Sequence, residues 1–221
     1  RHIVLLIGAI ASDNAPINRG HENSSLVSIV MPAYNEEAVI EDALSGLLDL
    51  NHNNIEIIVV DDGSSDRTES IARAFVRSHP DHEIRVYTQS NTGKASALNT
   101  GIFHACGDFL LCVDADSRLN SQALKNAMHH FKDPSVGAVG GFVAVRNTKS
   151  VIAKFQQLEY LISLNFTRKA LSFFGAVTII PGPIGLFRTE AMQSVRGYRE
   201  STNVFAEDAD LTIRLITKGW R

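Results

Sequence analysis

The chain has 221 residues, of which 44% are apolar and 20% charged, and its formal net charge is −3. These values predict a globular protein with one sizeable core, built as one large α/β domain or two small ones. The acidic balance offers no basic surface for nucleic acid. With Cys106 and Cys112 as its only cysteines, the chain has neither a disulfide framework nor a cysteine zinc site.

The first 25 residues differ from the rest of the chain. Ile3–Ala11 is an apolar run of nine residues, less than half of the roughly 20 that cross a bilayer. The polar stretch Ser12–Ser25 follows and is typical of a linker. Because the chain begins at Arg1 rather than Met, we expect it to be a piece of a longer protein, in which residues 1–25 are an apolar remnant and a polar linker that precede residues 26–221. The apolar run can be the end of a longer membrane helix or a short surface segment.

Apolar runs and amphipathic segments alternate through the first part of this region. The runs predict buried strands at Val27–Met31, Ile55–Val60, Ile84–Thr88 and Phe109–Val113. Helices are expected at Glu37–Leu50, from the Gly63–Asp66 turn to about Ser78, at Ala95–His104 and at Gln122–Phe131. Such alternation predicts a mostly parallel sheet flanked by helices on both faces, an α/β fold.

The pattern changes after Pro134. The segments expected there are a strand at Val136–Val145, a long helix at Val151–Phe174, a strand at Ala176–Pro181, a turn at Gly182–Gly185 and an amphipathic helix at Glu207–Lys218.

Three acidic clusters punctuate the chain: Asp61-Asp62, Asp114-Ala115-Asp116 and Glu207-Asp208. The first two directly follow predicted strands, where open α/β sheets bind ligands. Residues i and i+2 of an extended stretch point to one side, so Asp114 and Asp116 can share a divalent metal that holds a phosphorylated substrate. Ordinary alternatives remain open: a solvated turn at Asp114, an Asp-Gly turn at Asp62, and acidic residues favoured by the helix dipole at Glu207.

Lys94 lies at a predicted helix start in Asn91-Thr-Gly-Lys94. The stretch is not a P-loop, because Ala95 stands where a Ser or Thr is required. Lys94 can meet a phosphate or a nucleobase, or it can be a solvated helix lysine.

Five motifs, in order, resemble the family 2 glycosyltransferases. They are Val27-Ser-Ile-Val-Met-Pro-Ala-Tyr-Asn-Glu-Glu37, Val59-Val-Asp-Asp-Gly-Ser-Ser-Asp66, Asn91-Thr-Gly-Lys-Ala-Ser-Ala-Leu-Asn-Thr-Gly101, Val113-Asp-Ala-Asp116 and Ala206-Glu-Asp-Ala-Asp210. The segments Gln156–Tyr160 and Gly182–Arg188 resemble membrane-embedded processive synthases of β-linked polysaccharides, of the poly-N-acetylglucosamine synthase type.

The resemblance implies a GT-A fold, a nucleotide-sugar donor and the DxD motif at Asp114 and Asp116. By this resemblance the nucleobase and ribose pocket is lined by Pro32, Ala33, Tyr34 and Glu36. Asp62, with Asp61 beside it, bonds the base, and Lys94 reaches the base or the diphosphate.

The same resemblance assigns the reacting groups. Asp114 faces the ribose and diphosphate, and Asp116 ligates Mg²⁺ or Mn²⁺. Asp208 removes the proton from the acceptor hydroxyl, with Glu207, Gly182 and Gly185 on the acceptor side.

The function implied is inverting transfer of a sugar from a donor such as UDP-N-acetylglucosamine to a growing β-linked polysaccharide. The expected partners are the donor, a glycan or lipid acceptor and a membrane, reached through segments outside this chain, with the catalytic domain on its cytoplasmic side. Processive members carry Gln-x-x-Arg-Trp after the base, and the chain stops at Arg221 without it, so we expect a C-terminal truncation before that motif. Two other hypotheses stay open: a non-processive transferase for a lipid or short glycan, and a non-catalytic nucleotide-sugar-binding module.

Overall fold

A computed structural model of the protein describes residues 25–141, 155, 171, 179–180, 184–200 and 206–221. The described strands are β1 (Val27–Ala33), β2 (Ile55–Asp61), β3 (Ile84–Thr88), β4 (Phe109–Val113), β5 (Ala138–Gly140) and β6 (Ile184–Arg188). They form one six-stranded sheet in the order β3-β2-β1-β4-β6-β5. The first four strands are mutually parallel, and β6 runs antiparallel to both β4 and β5. The predicted mostly parallel sheet is confirmed.

Helices cover both faces of this sheet, as predicted. They are α1 (Ile40–Leu48), α2 (Thr68–Ser78), α3 (Lys94–His104), α4 (Ala123–Met128) with a 3₁₀ turn at His129–Lys132, α5 (Thr189–Val195) and α6 (Glu207–Thr217). One core cluster joins the sheet to α1, α2 and α4, and a second joins it to α3, α5 and α6. Within the described ranges, each helix is too short or too polar to cross a membrane.

The central strands are continuous apolar runs because both of their faces are buried. Six of the seven residues of β2 are buried, and β4 is buried throughout. On β1, Ile29 and Met31 belong to the first cluster, whereas Val30 between them belongs to the second. Residues of alternating direction therefore serve both cores.

Several predicted boundaries were wrong: the strand expected from Val136 begins at Ala138, and the first helix ends at Leu48 rather than Leu50. Helix α1 begins at Ile40 rather than Glu37, because residues 37–39 form a turn in which Val39 N–H and Ile40 N–H both donate to the Glu36 carbonyl oxygen. Gly185 lies within β6, not in a turn, because it pairs with Cys112 of β4 in an antiparallel ladder. Of the predicted helix at Val151–Phe174 and strand at Ala176–Pro181, only residues 155, 171, 179 and 180 are described.

Two helical glycines are expected to respond oppositely to alanine. A Cβ at Gly101 of α3 would overlap Val30 Cγ1 of β1, whereas at Gly46 of α1 the nearest atom, Arg118 Cγ, is 3.8 Å away. Overpacking costs about 1–3 kcal/mol, and Ala is the better helix former by about 1 kcal/mol. Gly101→Ala should therefore destabilise the protein by up to about 2 kcal/mol, and Gly46→Ala should stabilise it slightly. Urea denaturation of both variants measures this, and a shift of the same sign in both would contradict the packing.

Candidate functional site

A cleft of about 410 Å³ opens at the edge of the sheet where β1, β2 and β4 end. Parallel strands place their carboxyl ends together, which is why this edge collects residues from distant parts of the chain. Eight predicted site residues line the cleft: Pro32, Ala33, Tyr34, Glu36, Asp62, Lys94, Asp114 and Asp116. The structure therefore brings the first four motifs of the sequence to one place.

The loop after β1 forms one wall. Asn35 has a left-handed backbone (φ 57°), and its Oδ1 accepts hydrogen bonds from Ser65 N–H (2.8 Å) and Ser65 Oγ (3.2 Å). The next amide, Glu36 N–H, donates to Thr68 Oγ1 at 2.7 Å. These bonds tie the loop to the turn before α2 and to the first residue of α2. They hold Tyr34, which is 50% exposed, at the mouth of the cleft.

Asp62 organises the opposite wall. Its Oδ1 accepts hydrogen bonds from Gln89 Nε2 (2.8 Å) and Thr92 N–H (3.0 Å), and its Oδ2 accepts one from Gly93 N–H (2.8 Å). Lys94 follows directly and begins α3. The buried Asp62 carboxylate thus fixes the loop that sets the start of α3.

Asp61 and Gly63 flank this carboxylate. Asp61 is buried and is not among the residues that line the cleft. Its Oδ2 accepts a bond from Ser64 N–H at 3.2 Å, and its Oδ1 has no hydrogen-bond partner among the described residues. Gly63 has φ +72°, and a Cβ there would lie 2.8 Å from Asn91 N, so the turn requires glycine.

Lys94 and the Asp114-Ala115-Asp116 segment form the floor. Ala115 is buried, and both carboxylates face the same cleft. Lys94 Nζ lies 2.6 Å from Asp114 Oδ1. Burial raises the pKa of Asp114, the Lys94 ammonium lowers it, and the charges of Asp116 and Glu207 raise it further; the net shift is upward.

Glu36 adds another carboxylate to this group. Its pKa is raised by burial first, and then by the charges of Asp116, Asp114 and Asp66. The cleft therefore holds carboxylates that repel one another, with Lys94 as the cation among its lining residues. Such a site favours a bound cation.

The first turn of α6 lies near this floor. Glu207 acts electrostatically on Asp114, and Asp208 acts on the Cys112 thiol that precedes Asp114 by two residues. Asp208 is half-buried, and its carbonyl oxygen accepts a bond from Thr212 Oγ1 at 2.7 Å. Neither acidic residue is part of the cleft lining, nor is Gly185 on β6, while Gly182 lies outside the described residues.

The donor set suits a hard divalent cation. Among the described residues, no group of three or more His, Cys, Asp or Glu side chains is arranged to hold a metal ion alone. Mg²⁺ in proteins is commonly held by one or two carboxylates together with waters and substrate phosphates. The oxygens of Asp114 and Asp116 meet that requirement, provided that a phosphorylated ligand supplies the remaining oxygens.

Sequence reasoning missed four lining residues: Asn91, Gly93, Ala97 and Ala115. Three of them belong to the motif around Lys94, and Ala115 separates the two aspartates, so their motifs already pointed to them. It also missed Gln89, whose amide nitrogen donates to Asp62 and whose carbonyl oxygen accepts a bond from Thr100 Oγ1 at 2.6 Å. No motif contains Gln89.

The family model for "Glycosyl transferase family 2" matches residues 28–196. Two curated relatives are the poly-beta-1,6-N-acetyl-D-glucosamine synthases of Staphylococcus aureus (strain COL) and Staphylococcus epidermidis (strain ATCC 35984). They are 36% and 34% identical to this chain over 88% and 90% of its length. The chain spans about half of their lengths, 47% and 49%.

Two solved structures share the fold. The mannosyltransferase PcManGT from Pyrobaculum calidifontis, in complex with GDP-Man and Mn²⁺, gives a TM-score of 0.75 at 25% identity, over 100% of this chain and 61% of its own. TarS 1-349 from S. aureus in complex with UDP-GlcNAc gives 0.59 at 21% identity, over 86% of this chain and 53% of its own. From the family model and the shared architecture, the chain belongs to the family 2 glycosyltransferases and has the GT-A fold.

Proposed function

We propose that the protein transfers a sugar from a nucleotide-sugar donor, a UDP-sugar such as UDP-N-acetylglucosamine, to a growing β-linked polysaccharide, with inversion at the anomeric carbon. One observation carries the proposal. A single cleft gathers an aromatic ring, a lysine and a pair of carboxylates, and the acidic first turn of α6 acts electrostatically on its floor. These are the groups needed to bind a nucleotide, a diphosphate and a metal, and to accept a proton.

In this proposal, the nucleoside of the donor binds at the Tyr34 end of the cleft. The half-exposed Tyr34 ring offers a face for a base, with Pro32 and Ala33 beside it. Asp62 offers carboxylate oxygens to base N–H groups, and Asp61 supports it from behind. Glu36 faces the ribose.

The donor's diphosphate is placed between Lys94 and the two aspartates. Lys94 neutralises phosphate charge, and Asp114 and Asp116 would hold Mg²⁺ or Mn²⁺. A bound divalent cation acts as a Lewis acid that stabilises the negative charge on the departing nucleoside diphosphate. Burial, and then repulsion from neighbouring carboxylates, raises the pKa of Asp114 and of Glu36. A bound cation would relieve the repulsion.

Asp208 acts as the general base from the side opposite the leaving group. Its carboxylate takes the proton of the acceptor hydroxyl while the acceptor oxygen forms a bond to the anomeric carbon. The bond between that carbon and the diphosphate oxygen breaks, and the nucleoside diphosphate keeps the electron pair. Glu207, Gly182 and Gly185 belong to the acceptor side.

The relatives and the structural neighbours support the class of reaction. The curated relatives are polysaccharide synthases, and the structural neighbours hold UDP-GlcNAc or GDP-Man. In the whole protein, residues 26–221 form the catalytic domain, which segments outside this chain attach to the cytoplasmic side of a membrane.

A donor screen with the full-length protein tests the proposal. UDP-sugars and GDP-mannose are offered with Mg²⁺, with Mn²⁺ or with a chelator, and product length is measured. We expect chain products from a UDP-sugar with metal and none with chelator. Single-sugar products would favour a non-processive transferase. Donor binding without transfer would favour the non-catalytic module.

Asp116→Asn provides the matching binding test. Removing this carboxylate is expected to weaken metal-dependent UDP binding at least about tenfold, equivalent to about 1.4 kcal/mol, by calorimetry. Asp81→Asn is the control, since Asp81 is exposed and precedes β3 at the opposite edge of the sheet. Equal affinity in both variants would contradict the metal assignment.

A further inference from the structure

Asn99 of α3 is hydrogen-bonded to the segment that follows α5. Asn99 Oδ1 accepts a hydrogen bond from Tyr198 N–H at 2.9 Å, and Asn99 Nδ2 donates to the Tyr198 carbonyl oxygen at 2.9 Å. The same nitrogen donates to Glu200 Oε1 at 2.7 Å. One side-chain amide thus satisfies both backbone groups of Tyr198, although the two residues are 99 positions apart.

The neighbouring backbone is shaped for this contact. Gly197 has φ +70°, and a Cβ there would lie 2.5 Å from Asn99 Oδ1. Arg196 before it is also left-handed, with φ 60°. Two consecutive left-handed residues end α5 and bring Tyr198 against α3, and the second of them must be glycine.

Helix α6 is hydrogen-bonded to the same region of the chain through Arg214. Arg214 Nη1 donates to the carbonyl oxygens of Val195 (2.7 Å) and Gly197 (2.9 Å). Arg214 Nε is held by Asp210 Oδ2 at 2.7 Å. Arg214 follows Asp208 by less than about two helical turns. Its bonds to Val195 and Gly197 therefore fix the end of α6 that carries the proposed base.

The Tyr198 side chain reaches under the cleft. It is buried and packs in the core cluster that also contains Cys112 of β4. Its phenol lies beside the Cys112 thiol and within electrostatic reach of Asp208 and Asp114. The segment from Gly197 to Glu200 therefore contacts α3, β4 and α6. Helix α3 begins with Lys94, β4 ends directly before Asp114, and α6 carries Asp208.

We propose that Asn99 is a positioning residue. Through the Gly197–Glu200 segment it fixes the position of α6, and so of Asp208, relative to Lys94 and Asp114 in the floor of the cleft. Asn99 does not line the cleft, so it acts through this segment and not on the donor. The inference rests on the proposed function, because it assigns Asp208 a place relative to Lys94 and Asp114.

Asn99→Ala in the full-length protein separates positioning from binding. A misplacement of about 1 Å at a reacting group can cost about 100-fold in rate, and we expect a fall in kcat of that order. The dissociation constant for UDP should change less than about twofold, since the two walls of the cleft that bind the donor stay in place. Asn126→Ala is the matched control, because Asn126 is exposed on α4. Thr189→Ala is a second control, which removes the bond from Thr189 Oγ1 to the Gly107 carbonyl oxygen.

A second readout needs no sugar transfer. Cys112 is covered in the folded protein and Cys106 is exposed, so alkylation by iodoacetamide is followed in a Cys106→Ser background. Asn99→Ala should speed alkylation of Cys112 at least about tenfold, as local opening becomes easier, whereas both controls should not.

The outcomes separate the two proposals. If the wild-type protein transfers sugar and Asn99→Ala keeps both its kcat and its slow alkylation, the positioning role is overturned. A kcat loss that Thr189→Ala reproduces equally would also overturn it, since that loss reports stability alone. A wild-type protein without transfer from any donor overturns the proposed function and the catalytic part of this inference, and alkylation still shows whether Asn99 holds the segment.

Discussion

Asp208→Asn is expected to lower sugar transfer by about 10²–10⁴-fold, the range that general base catalysis contributes, while UDP binding survives. Asparagine keeps the size of the side chain but does not take up a proton from the acceptor hydroxyl. The fold at this point should hold, because the bond from Thr212 Oγ1 goes to the backbone oxygen of residue 208, and Thr212 Oγ1 in turn accepts Ile180 N–H at 2.9 Å. Single-turnover transfer with saturating donor measures the effect.

Glu207→Gln is the comparison for that experiment, since it removes the same charge from the same turn of α6. Glu207 contributes to the raised pKa of Asp114, so its loss is expected to alter donor affinity more than the chemical step. Normal transfer by Asp208→Asn, or an equal loss of kcat in both variants, would contradict the assignment of Asp208 as the base.

Glu56→Gln is expected to destabilise the fold by about 3 kcal/mol, the low end for breaking a buried ion pair. Glu56 of β2 is 2% exposed, and its Oε1 accepts bonds from Ser28 Oγ (2.5 Å) and Cys106 N–H (2.6 Å). Its Oε2 is paired with Arg85. A glutamine amide has one oxygen that can accept hydrogen bonds from these donors. Its NH₂ group cannot accept any, so at least one of the buried donors loses its partner.

Glu83→Gln is the control for this effect because it addresses the same arginine. Arg85 Nε lies 3.6 Å from Glu83 Oε1, and the Glu83 side chain is 67% exposed. Exposed pairs contribute about 0–1 kcal/mol, so the urea midpoint should move little. A similar shift for both variants would show that burial does not set the strength of the Glu56 pair.

The parts of the fold that were predictable are those in which neighbouring residues carry the information. The runs at β2 and β4 are apolar because both faces of each strand are covered, and that pattern is local. Part of the site was predictable from the same local pattern. Residues that come directly after such strands, Asp62 and Asp114 among them, must meet at the carboxyl edge, and both line the cleft.

The parts that were not predictable depend on contacts between distant residues. Gly185 stands in a Gly-Pro-rich stretch that favours a turn, but pairing with Cys112 draws it into β6. Asn99 is one polar residue on a helix, and its partner lies 99 positions away. Asp61 and Asp62 are adjacent acids in the sequence, and only the packing at the end of β2 makes one line the cleft while the other is enclosed.

The three bonds that Asp62 accepts from the Gln89–Gly93 loop have a consequence for engineering the donor preference. A replacement at Asp62 chosen to fit another base also releases the amides that set the start of α3, and so shifts Lys94 at the phosphate end. In the proposed donor site, a substitution at Asp62 would therefore change base preference and phosphate binding together. Redesign of the nucleotide preference should begin at Tyr34, whose exposed ring carries no part of that scaffold.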